Sequence, residues 1–97
     1  MSNNESADKP IVYPEQENPP RPTYTANLRG LPIGGWLYYH PTNGSPDNGQ
    51  LNIVVTIDAK KVMAEDFIYT NDQERRQARL KAKNVWRKVV LAVLAGV

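Results

Sequence analysis

The chain has 97 residues, 40% of them apolar and 23% charged, with a net charge of +2, eight prolines, one histidine and no cysteine. That length suits one small domain and is too short for two. The composition excludes disulfides, thiolate metal sites and thiol nucleophiles, and the single His40 excludes a multi-histidine metal centre within one chain.

The opening Met1–Pro10 segment, MSNNESADKP, has no apolar core of the kind a secretory signal needs. The expectation is a protein not secreted by a signal peptide, working in the cytoplasm or within a virion or macromolecular complex. All eight prolines fall between Pro10 and Pro46, and five of them punctuate residues 10–22. Each removes a backbone donor and disfavours helix at the residue before it. Residues 1–27 therefore read as an extended, Pro-rich arm without the apolar pattern of a core. Pro19-Pro20-Arg21-Pro22 fits the P-x-x-P spacing of polyproline ligands, although such arms more often serve as spacers. Residues 28–97 remain as one small α+β module, a size at which a single core barely offsets chain entropy.

Two strands are predicted next, as an antiparallel hairpin over about residues 35–58. Trp36–His40 is aromatic-rich, and Leu51–Ile57 places Leu51, Ile53, Val55 and Ile57 on one face. Gly30, Gly34 and Gly35 read as loop hinges leading in, and the ten residues Pro41–Gln50 between the strands are dense in turn formers. Alternation puts Trp36, Tyr38 and His40 on one face and Leu37 and Tyr39 on the other, without deciding which face meets the core. For Ala59–Glu65 the pattern admits a helical turn capped by Asp58, with Val62 and Met63 inward, while Phe67–Thr70 has the propensity of a third strand.

A long C-terminal helix is predicted over about residues 72–95. Thr70 with Gln73, and Asn71 with Glu74, form two overlapping capping boxes, and Asp72 and Glu74 favour the positive end of the helix dipole. Ala78, Ala82, Val85, Trp86, Val89, Val90, Val93, Leu94 and Val97 recur at helical spacing as an apolar stripe. Residues 71–97 carry seven basic side chains against two acidic ones, whereas residues 1–70 carry five against eight. The small total charge thus conceals a basic helix on a mildly acidic body. Val89–Val97 has no charge at all, and an end that is apolar all round demands cover from a partner chain, a second copy or a lipid surface.

Three uses of that helix follow. In the favoured one the protein is a non-catalytic accessory or structural subunit, docking into a larger assembly or homo-oligomer through its arm and helix. Val85, Trp86, Val89, Val90, Val93 and Leu94 would then be the contact residues, with Trp86 and Leu94 as anchors. A first alternative is nucleic-acid binding, with Arg75, Arg76, Arg79, Lys81, Lys83, Arg87 and Lys88 on phosphates and Trp36 and Tyr38 stacking on bases. A second is peripheral contact with an anionic membrane surface; nine apolar residues reach about 13 Å and cannot span the bilayer. An ordinary solvated basic face is the plain alternative to all three. Catalysis is not expected, nor a cofactor or metal. Ser45 is the only serine outside the arm, and the adjacent Glu65 and Asp66 point apart in either helix or strand.

Overall fold

The computed structural model describes residues 21–42 and 47–96. Four antiparallel strands, β1 (Tyr24–Leu28), β2 (Leu31–Pro41), β3 (Gly49–Ile57) and β4 (Lys60–Tyr69), pair in chain order, and one helix, α1 (Asp72–Leu94), follows. The result is a two-layer α+β fold, with the helix covering one face of the sheet.

The expected hairpin is the centre of this sheet, and its register joins Trp36 to Val54, Leu37 to Ile53 and Tyr39 to Leu51. Leu37 and Tyr39 face the core, with Ile33, Leu51, Ile53 and Val55 beside them, and Trp36, Tyr38 and His40 lie on the opposite face. The strand also begins earlier than expected. Gly34 and Gly35 are paired strand residues, not hinges, because bulky neighbours occupy the space that side chains would need: a Cβ on Gly35 would lie 2.8 Å from Trp86 Cδ1. Pro32 is tolerated because its partner position is already turning: Asp58 donates from its N–H to the Pro32 carbonyl at 2.9 Å, and Pro32 returns no donor.

Two further expectations are corrected. The end of the arm assigned to residues 1–27 is not arm, because Tyr24–Leu28 forms β1 and pairs along Leu31–Gly35. Residues 1–20, which hold the rest of it, lie outside the described residues. Ala59–Glu65 is not a helical turn: it belongs to β4, which also absorbs the expected strand at Phe67 and beyond. Both outer hairpins close through two-residue turns in the left-handed region, Arg29-Gly30 at φ 56° and 79° and Asp58-Ala59 at φ 52° and 69°. Such turns match strand twist; Gly30 and Asp58 are residue types they favour, whereas Arg29 and Ala59 are not. In β4 the register slips between Val55 and Thr56, whose partners are Met63 and Lys61, leaving Val62 as an extra, bulged residue.

The helix starts where its caps predict. Asn71 Oδ1 accepts from the Glu74 N–H at 2.8 Å, and Glu74 Oε1 accepts from the Thr70 N–H at 2.9 Å and the Thr70 hydroxyl at 2.6 Å. Ala78, Ala82, Val85 and Val93 are buried against the sheet, while Trp86, Val89 and Val90 pack at the margin of the core. Ala78 and Ala82 allow close approach of helix and sheet, and Tyr69 fills the end of the core beyond them.

Candidate interaction surfaces

Because β1 and β4 are the two sheet edges, α1 has two flanks of different character. On the β1 flank, Arg76, Arg79, Lys83 and Arg87 follow at helical spacing and form one row. Lys83 Nζ stands 6.0 Å from the centre of the Tyr24 ring, and the Tyr24 ring lies 5.5 Å from that of Trp86 at an angle of 33°. Arg79 donates to the hydroxyl of the buried Tyr39 at 3.2 Å, and Arg76 pairs with Asp72 at 3.0 Å, an acceptor it shares with Arg75. Tyr24, Arg76, Arg79, Leu80 and Lys83 line a shallow cleft of about 410 Å³ here, its floor apolar and its rim cationic. On the β4 flank, Lys81 and Lys88 stand with Asn84, Glu65 and Phe67 around a smaller cleft of about 240 Å³. The seven expected cations are thus sorted by the fold into two rows rather than one patch, with Arg75 turned partly inward.

The outer side of α1 carries a third feature. Leu80, Leu91 and Leu94 are 64%, 58% and 54% exposed, and Arg87 falls between them in the same line. Of the six residues expected to dock, Val85 and Val93 are buried in the chain's own core, and Trp86, Val89 and Val90 are packed at its edge. Leu94 alone of the six is left facing outward. The helix end is therefore covered on one side by its own sheet and open on the other.

The far face of the sheet is polar and aromatic. Trp36 donates from Nε1 to the Thr56 hydroxyl at 3.0 Å, and Asn52 hydrogen-bonds Asp66 across β3 and β4. Ile68, 77% exposed, also lies on this face. Pro22 also reaches this face, its Cβ 3.2 Å from where a side chain on Gly34 would begin. Trp36 and Tyr38 thus lie across the sheet from the helical cations, and the two groups do not share a surface. Thr70 also acts electrostatically: its hydroxyl first, and then its backbone N–H, hold the Glu74 carboxyl below its ordinary value of 4.5.

Tyr24, Leu80 and Leu91 were missed in the sequence. Tyr24 is readable in retrospect, since Tyr24, Ala26 and Leu28 alternate up to the Arg29-Gly30 turn. Leu80 and Leu91 sit outside the core stripe, where apolar spacing carries no signal. Among the described residues no helix is long and apolar enough to cross a membrane. No protein-family model matches the chain, and neither a curated protein nor a solved structure matches it.

Proposed function

We propose that the chain is a non-catalytic accessory or structural subunit that docks into a larger assembly through the outer side of α1. The observation that carries this reading is the line of Leu80, Leu91 and Leu94, exposed on a helix whose opposite side is already occupied by the sheet. Large apolar side chains that can be desolvated dominate interface energies, and a surrounding cationic rim adds steering and register. The nucleic-acid alternative draws on the same cations, but its stacking residues Trp36 and Tyr38 stand on the far face of the sheet. A membrane-surface role draws on the same leucines.

The test compares the full chain with two variants, Leu91→Asp/Leu94→Asp and Arg76→Glu/Lys83→Glu, in affinity capture from the source cells, scoring protein, nucleic acid and lipid. Docking predicts that the leucine variant loses its protein partner while 0.5 M salt leaves the wild-type complex in place. Equal capture by wild type and leucine variant refutes it. Loss of nucleic acid confined to the charge variant and to high salt favours the alternative.

A further inference from the structure

The two edges of the sheet are unequally protected. Along β4 the edge is interrupted by the bulge at Val62 and carries Lys60, Lys61, Glu65 and Asp66, all devices that discourage another strand from pairing. β1 is barer: Tyr-Thr-Ala-Asn-Leu contains no charge and no proline, and its one irregularity lies at the start, where the Thr23 N–H also turns in to the Gly35 carbonyl at 2.8 Å. The two-residue turn makes Leu28 and Leu31 a hydrogen-bonded pair, so alternation directs the amides of Tyr24 and Ala26 toward β2. Those of Thr25 and Asn27, both exposed residues, point outward.

Beside this edge runs the row Arg76, Arg79, Lys83 and Arg87, with Lys83 directly over Tyr24 at the start of the strand. An extended segment paired with Thr25 and Asn27 would continue past Tyr24 into the cleft with the cationic rim. We propose that β1 is a strand-addition site for an acidic extended segment of a partner protein, its backbone pairing with Thr25 and Asn27 and its carboxylates meeting the Arg76–Arg87 row. Main-chain hydrogen bonds supply affinity in this mode and the flanking side chains supply selectivity. A second copy of the chain pairing edge to edge would bring two such basic rows together, and like charges brought together oppose it. The site meets the leucine line at Leu80 and Arg87, but its backbone pairing at Thr25 and Asn27 is separate from Leu91 and Leu94, so loss of the edge amides and loss of those two leucines have independent effects.

The probe is an acetylated, amidated peptide of alternating Glu and Val, seven residues long, with its Lys-for-Glu counterpart as control, titrated into the isotope-labelled full chain. The expected result is slowed hydrogen exchange at the Thr25 and Asn27 amides with the Glu peptide only. Asn27→Pro or Thr25→Pro, each removing an outward donor without breaking a β1–β2 bond, weakens binding by about tenfold or more. Arg76→Glu/Lys83→Glu, which leaves β1 intact, does the same and keeps the test decisive should the proline variants unfold. Equal binding of the Lys peptide, or Glu-peptide binding indifferent to a folded proline variant, overturns the proposal. So does edge dimerisation seen as a doubled mass. Residues 1–20 themselves carry Glu5, Asp8, Glu15 and Glu17 against Lys9. Protection of Thr25 and Asn27 without peptide that vanishes when those four acids are made amides assigns the edge to the chain's own segment instead, and overturns the partner.

Discussion

Gly35→Ala tests how α1 is seated on the sheet. A Cβ at this position would lie 2.8 Å from Trp86 Cδ1 and 3.0 Å from both Trp86 Cγ and Tyr24 Cδ2. Two carbons rest at about 3.5–4.0 Å, so the indole must retreat by roughly 0.7–1.2 Å. Rotation about χ2 leaves Cγ in place, so the retreat takes a χ1 pushed off its rotamer or a shift of the helix backbone. Val85 and Ala82, buried in the adjacent turn, would loosen with it. Overpacking of this kind costs about 1–3 kcal/mol, against about 0.5–1 kcal/mol gained by replacing a strand glycine. The net expectation is a loss of about 1–2 kcal/mol. With a urea m-value near 1 kcal/mol/M for so small a domain, the unfolding midpoint falls by about 1–2 M. The decisive comparison is a double-mutant cycle with Trp86→Ala, which alone removes a half-buried indole and costs about 2–3 kcal/mol. In the double variant the new methyl occupies vacated space, and the two losses fall short of their sum by about 1 kcal/mol or more. Additive losses, or a Gly35→Ala midpoint within about 0.5 M of wild type, would refute the seating of Trp86 on Gly35.

Ala59→Gly should stabilise the fold by about 1 kcal/mol, since Ala59 sits at φ 69° where a Cβ is strained; a raised thermal midpoint checks it. Asn71→Ala removes the acceptor for the Glu74 N–H and should cost about 1 kcal/mol by urea unfolding. Glu74 adds a pH dependence of known sign. Its carboxyl is lowered in the folded protein, so the unfolded chain binds more protons through that range. The stabilisation is present above 4.5, its ordinary value, and is lost as pH falls through the lower folded value. Unfolding midpoints measured downward from pH 6 should therefore fall less steeply in Glu74→Gln than in wild type.

What could be read in advance follows from where each element lies. β2 and β3 are central strands, and their alternation is enforced on the core side by Leu37, Tyr39, Leu51, Ile53 and Val55, so the pattern is explicit. The helix is equally legible because Asn71 and Glu74 mark its start chemically. β4 is an edge strand whose side chains are mostly exposed, and the bulge at Val62 shifts its phase midway, so no period of two survives in Lys60–Asp66. β1 was hidden by the prolines just before it and by a turn that begins with Arg29 where asparagine is usual. For the docking residues the difficulty is of another kind. An apolar stripe shows that a helix face is covered, but not by what, and here the chain's own sheet takes Val85 and Val93. The outward leucines are only three, interrupted by Arg87 and set among charged residues, so their line becomes visible only once the core side is known.

That arginine at the first turn has a wider consequence. The last turn of α1 contains no basic residue of its own, yet the Arg29 guanidinium donates to the Leu94 carbonyl at 3.0 Å across 65 positions of sequence. A cation at a helix C-terminus offsets the negative end of the dipole, and this one is supplied by the first hairpin. It also ties the tip of that hairpin to the last turn of the helix. Fraying at Ala95 and opening of the Arg29-Gly30 turn are then coupled through this bond, and exchange at the helix end should rise when the turn opens. A strand added to β1 would, through this bond, tighten the helix end as well as the sheet edge. Occupancy of one surface would thereby be legible at the other.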